Sequence, residues 1–124
     1  MSVLVKLDES LRQVWVTVLP EPQTATVAET LLRLTEQRPV LGSWDWIIDT
    51  RNPHELATAE ELDRIAAAFN AVTTQPRHTI FISLKSSTYD RCAILGRKFI
   101  NRRHLVARTP GEAEALLPPC LNVI

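Results

Sequence analysis

Two stretches near the start of the chain alternate apolar and polar side chains with period two, as strands buried on one face do. Val3 and Val5 share one face of the first. Val14, Val16 and Val18 share one face of the second, with Trp15, Thr17 and Leu19 on the other. The polar interval over residues 8–12 predicts a hairpin turn, and so an antiparallel pair. Pro20 and Pro22 end the second strand, since proline has no N–H to give to a sheet ladder.

The period then changes to that of helices. Thr26, Thr58, Ser87 and Thr109 are each followed three residues later by an acid: Glu29, Glu61, Asp90 and Glu112. A hydroxyl in that place satisfies an orphan N–H of the first turn, and the carboxylate favours the positive end of the helix dipole. Thr109 also precedes Pro110, whose fixed φ suits the first helical position. The apolar stripes are Val27, Leu31 and Leu34 in the first helix, ending before Pro39, and Leu62, Ile65, Ala66 and Phe69 in the second. Tyr89, Cys92, Gly96 and Phe99 lie along one face of the third, where Gly96 predicts close packing against a neighbour.

Short apolar runs at residues 44–48, 79–84 and 105–107 separate these helices, and Trp44 and Trp46 share a face. Alternation of strand and helix implies parallel strands joined by right-handed crossovers. The expected fold is therefore α/β, in the order β-β-α-β-α-β-α-β-α. It has a mostly parallel five-stranded sheet, an N-terminal antiparallel hairpin and four helices. The 124 residues suffice for one domain, placed at residues 1–117, with residues 118–124 as a C-terminal tail whose Leu, Val and Ile favour docking on a surface.

A content of 45% hydrophobic and 23% charged residues is that of a globular protein, with enough apolar side chains for a core without staples. The 14 basic and 14 acidic side chains cancel, which gives no global field to attract nucleic acid or anionic lipid. The charge is uneven, however. Residues 1–84 hold 7 Lys/Arg against 11 Asp/Glu, and residues 85–124 hold 7 against 3. A polarised molecule could self-associate or meet a charged partner, unless the fold interleaves the two parts. The N-terminus lacks a secretory pattern, and the longest apolar run, residues 65–69, is far below membrane-spanning length. Cys120 is one position too early for a prenylation box. A cytoplasmic protein without a membrane span is expected.

Catalytic patterns are absent from the sequence. Three glycines, Gly42, Gly96 and Gly111, cannot write a phosphate-cradling loop or a dinucleotide fingerprint. His54, His78 and His104 are scattered, without metal spacing, and read as surface or turn residues. Cys92 reads as a small buried hydrophobe. No cofactor, metal or catalytic residue is predicted. The basic run Arg97, Lys98, Arg102, Arg103, His104 lacks interleaved aromatics and reads as a solvated helix end rather than a nucleic-acid site. Trp15 becomes a candidate anchor for a subunit contact if it points away from the core.

The element order over nearly the whole chain resembles the STAS fold of sulphate-transporter tails and anti-sigma-factor antagonists, especially small stand-alone bacterial members. Three local features carry the resemblance: the initial hairpin, the strand Trp46-Ile47-Ile48-Asp49 ending in an acid, and residues 104–113 (HLVARTPGEA) as a closing strand and helix. The resemblance implies a non-enzymatic regulatory or binding module acting through a protein partner or through itself, for instance as a homodimer. Antagonists of that family carry a phosphorylatable Ser in an Asp-Ser-Ser-Gly type of turn. Residues 49–61 here read DTRNPHELATAEE, so Thr58 is the one hydroxyl left at the helix start. It already serves as N-cap, and Glu60 and Glu61 repel a phosphate. The related Sec14-type lipid-transfer topology implies the alternative, a carrier of a lipid or small anionic ligand.

Parallel α/β sheets bind ligands beyond the carboxyl ends of their strands, near helix N-termini. That edge would gather Asp49, Thr50 and Arg51, then Lys85, Ser86, Ser87 and Thr88, then Arg108 and Thr109. The set suits a phosphate or carboxylate; the competing reading makes the hydroxyls caps and the charges solvated.

Overall fold

The alternating stretches form the expected hairpin. Strands β1 (Val3–Asp8) and β2 (Gln13–Val18) pair antiparallel, with Val5 opposite Val16, in a computed structural model that describes residues 3–21 and 25–117. The connection turns because Arg12 takes a left-handed φ of 54°. Asp8 also organises it, its carboxylate accepting from the Ser10 hydroxyl at 2.8 Å and the Leu11 N–H at 3.0 Å. Pro22, expected to help stop β2, and the expected tail at residues 118–124, Cys120 included, lie outside the described residues.

The chain continues through α1 (Val27–Gln37), β3 (Asp45–Asp49), α2 (Ala59–Asn70), β4 (Arg77–Ile82), α3 (Ser87–Lys98), β5 (Arg102–Ala107) and α4 (Pro110–Leu116). This is the predicted α/β order. The sheet runs β1-β2-β3-β4-β5 and is parallel from β2 onward. The strand order never reverses. Each crossover therefore steps the same way, and one handedness puts α1, α2 and α3 on the same face. Their core contains Val14, Val16, Trp46, Ile48, Ile65 and Phe69. The opposite face is shorter of cover: Ile47, Ile80, Ile82 and Ala107 pack there with Ala113 of α4 and with Leu117. Trp15 is half-buried against this second cluster, its indole N–H donating to Gln13 Oε1.

Several boundaries differ from the apolar runs. β4 and β5 begin two and three residues earlier than expected, because Arg77, His78, Arg102 and Arg103 enter the ladder. Trp44 precedes β3 and follows a short 3-10 helix, Pro39–Ser43, that the pattern did not announce. A Cβ on Gly42 in that helix would lie 2.8 Å from Val72 Cγ2 and 3.2 Å from Phe69 Cα, so glycine is what lets the segment press against the end of α2. The close approach predicted for Gly96 is not there; a Cβ at that position meets nothing within 4 Å.

Three of the four helix starts are capped as read. Thr26, Thr58 and Thr109 accept from the N–H groups of Glu29, Glu61 and Glu112, each at 3.1 Å. Glu61 completes the box by accepting from the Thr58 N–H. The fourth is not. α3 has Ser86 rather than Ser87 at its N-cap, with no side-chain cap bond. Its predicted face is also wrong. Tyr89 is exposed, Leu95 is the one fully buried residue of the helix, and Phe99, though buried, lies just past its end. In α1, two threonines share the buried side with Ala28 and Leu31, and each hydroxyl is satisfied locally: Thr30 bonds to the Thr26 carbonyl and Thr35 to that of Leu31, both at 2.9 Å.

Candidate functional site: a cavity under the third helix

α3 has a thin apolar stripe, with Leu95 its one buried residue, and rests mainly against β5. Near its end it is tied to α2: Asn70 donates to the Lys98 carbonyl at 2.9 Å and accepts from the Ile100 N–H at 2.8 Å, and Lys98 pairs with Asp63. Among the described residues, no hydrogen bond or ion pair joins the first two turns of α3 to α2. Between the two helices, over β3 and β4, lies a cavity of about 640 Å³, which α1 also lines through Val27, Ala28 and Leu31.

The floor is a chain of rings that all line this cavity. Trp46 and Phe69 have centroids 5.2 Å apart, Phe69 meets Phe99 edge-on at 5.5 Å, and Phe99 meets His104 at 4.8 Å. Phe81 lies nearly parallel to the His104 ring, 6.4 Å away. Ile48, Leu62, Ile65 and Leu95 complete an apolar interior. One wall is the stretch between β3 and α2, residues 50–58, longer than the usual connection in an α/β unit. Its His54, Glu55, Leu56 and Ala57 line the cavity, and Asn52 anchors it by donating to the Val18 carbonyl at 2.9 Å. The mouth is polar, with Thr50, Lys85, Ser87, Asp90 and Arg91.

The nine residues expected at the carboxyl edge of the strands separate. Thr50, Lys85, Ser87 and Thr88 line the cavity; Asp49, Ser86, Arg51, Arg108 and Thr109 do not. Asp49 alternates to the α4 side of the sheet, where its carboxylate holds Arg51 at 2.7 Å. That contact keeps the guanidinium above its ordinary pKa. Thr109 caps α4, and the Arg108 N–H donates to Glu112 at 2.7 Å. Within the cavity the hydroxyls serve the protein. Thr50 donates to the Ile82 carbonyl at 3.1 Å, and Ser83 and Thr88 share a hydrogen bond of 2.7 Å that shapes the turn into α3. Thr58, the candidate phosphosite, is engaged in its capping box on the exposed start of α2.

Two readings of basic residues are corrected. Arg102 is no solvated helix end but a buried residue, 5% exposed. Its guanidinium donates to the carbonyls of Gly42 and Trp44, both at 2.8 Å, of His78 at 3.0 Å, and to Thr79 Oγ1 at 3.1 Å. It also lies 4.9 Å from the Phe69 ring. Burial pushes its pKa down to about 10, with Asp45 opposing, so it stays cationic at neutral pH. His104 is not a surface residue either. Burial, reinforced by Arg102, lowers its pKa to about 4, and the ring is neutral. Cys92 is only half-buried; the loss of solvent lifts its thiol to about 11, far from a reactive thiolate.

Among the described residues no group of His, Cys, Asp and Glu is arranged to hold a metal ion, and no helix is long and apolar enough to cross a membrane. Sequence patterning missed Phe81, His104 and residues 54–57. The long connection before α2 and the thin stripe of α3 were the signals available for them. No family model, no curated protein and no solved structure matches this chain.

Proposed function

We propose that the protein is a non-enzymatic, STAS-like binding module that holds an amphipathic small molecule, its apolar part between α2, α3 and the sheet and its polar head at the mouth. The observation that carries this reading is the cavity. Its volume falls in the range of small-molecule sites, its interior is apolar and ring-lined, and its polar groups gather where it opens. The rim carries both signs, Lys85 and Arg91 against Glu55 and Asp90, so the head is solvated there rather than selected by net charge. A lipid-like or acidic metabolite fits this arrangement better than a phosphate alone, since the interior is mainly apolar and carries no cation.

Native mass spectrometry of the protein purified from its own cells tests the reading. The expected result is extra mass that leaves on denaturation and is absent from Ala57→Trp, which puts a ring into the cavity from its wall. A clean polypeptide mass, with no thermal shift from medium-chain fatty acids, would sink it.

A second reading, a module for protein contacts, is favoured by the hairpin. Leu4, Leu7 and Leu11 are all exposed there, on the free edge strand β1 and the turn that follows it. Sedimentation of the wild type against Leu4→Lys checks self-association through this edge.

A further inference from the structure

We propose, resting on the carrier reading above, that His104 is a hydrogen-bonding anchor within the cavity, and that the ligand therefore bears an uncharged polar group, a hydroxyl or carbonyl, remote from its head. Three observations lead there. The other buried polar side chains of the cavity are already engaged: Thr79 accepts from Arg102, and Ser83 is bonded to Thr88 and to the Lys85 N–H. The His104 ring lines the cavity and has no hydrogen-bond partner among the described residues; its Nδ1 is closed off by the surrounding protein, which leaves Nε2 as the ring nitrogen open to a ligand. An unpaired ring nitrogen on a cavity wall is a place where a ligand gains a hydrogen bond that the protein itself leaves unmade.

The ring is also held in position. It lies nearly parallel to Phe81 and edge-on to Phe99, so it presents a fixed direction rather than a mobile one. A neutral imidazole offers one donor and one acceptor, which matches a hydroxyl or a carbonyl and not a carboxylate. The register sets the length. His104 pairs with Thr79, and Ser83, four residues further on and just past the end of β4, lies toward the mouth. At the rise of a strand this is about 13 Å between head and anchor.

Decanoic acid and its ω-hydroxy derivative are matched probes for that span. In a wholly apolar cavity the hydroxyl weakens binding, because it loses its water. Titration calorimetry of the intact chain is expected to show the opposite, the hydroxy acid bound about tenfold more tightly. His104→Phe, which keeps a ring among rings, is expected to abolish or reverse the preference while decanoic acid still binds. His104→Gln restores part of the preference, and serves as the test if the Phe variant fails to fold. In the wild type, the ring ¹⁵N shifts of His104 move with the hydroxy acid and not with decanoic acid. Equal binding of the two acids, or a preference that survives in His104→Phe, overturns the anchor and leaves the carrier reading standing. Binding of neither acid overturns both.

Discussion

The two ends of the parallel strands are built on opposite plans. At the amino end, polar groups are buried and mostly bonded, although His78 Nδ1 and Arg102 Nε have no hydrogen-bond partner among the described residues. Arg102 stitches β5 to β4 and to the segment before β3 through four acceptors. Arg77 Nε donates to the Ser43 carbonyl, and Asp45 accepts from the His78 N–H at 2.8 Å. At the carboxyl end the helix layer stands off the sheet, apolar side chains face a void, and Leu56, Leu84 and Tyr89, on or beside its lining segments, are more than 60% exposed. One edge spends its side chains on stability and the other leaves them for a ligand.

Substitutions separate the two plans, and the largest effect belongs to the amino end. Arg102→Leu leaves the carbonyls of Gly42, Trp44 and His78 buried without that donor. A loss of about 3–5 kcal/mol is expected in urea unfolding. A fall of much less than 2 kcal/mol would mean that water replaces the guanidinium and that this end is looser than described.

Acidification gives the next effect and isolates His104. Its folded pKa of about 4 lies below the ordinary 6.5. Between those values the unfolded chain takes up a proton that the folded chain refuses. Folding therefore weakens as pH falls through that window, by about 3 kcal/mol at most, and regains the loss as pH rises. Stability measured from pH 6.5 down to pH 5, above the range where Asp8 and Glu9 protonate, should slope in the wild type and flatten in His104→Phe. The same slope in both would relocate the proton uptake to another group.

Gly42→Ala sharpens the comparison further. The added methyl meets Val72 Cγ2 at 2.8 Å and the backbone of α2 at 3.2 Å. A cost of about 1–3 kcal/mol is expected, partly relieved in the double variant with Val72→Ala. Gly96→Ala, in open space at mid-helix, should instead gain about 0.5–1 kcal/mol. The smallest effect lies on the exposed wall of the cavity, where Leu56→Asn should stay within about 0.5 kcal/mol of wild type by thermal melting while weakening fatty-acid binding. A large loss of stability there would mean that the cavity wall is part of the core.

Period and capping residues were enough to announce the element order, the hairpin and three of the four helix starts. Those signals are local: a hydroxyl three residues before an acid, or valines at every second position, act within one turn or one strand. Thr58 and Glu61 make their box whatever surrounds them. The misreadings of Arg102, His104 and Gly96 involve residues whose environment is supplied from far along the chain. Arg102, in a basic run, reads as solvated until β3 and β4 bring it acceptors from residues 42, 44 and 78. His104 reads as a strand-start histidine until Phe81 and Phe99 close around it. Close packing was expected at Gly96 and is found at Gly42 instead, since close approach depends on what lies opposite. The cavity is the extreme case. It is a gap between α2 and α3, set by a strand order that never doubles back and by a tie at one end of two helices, and a void has no residues of its own to leave a mark in the sequence.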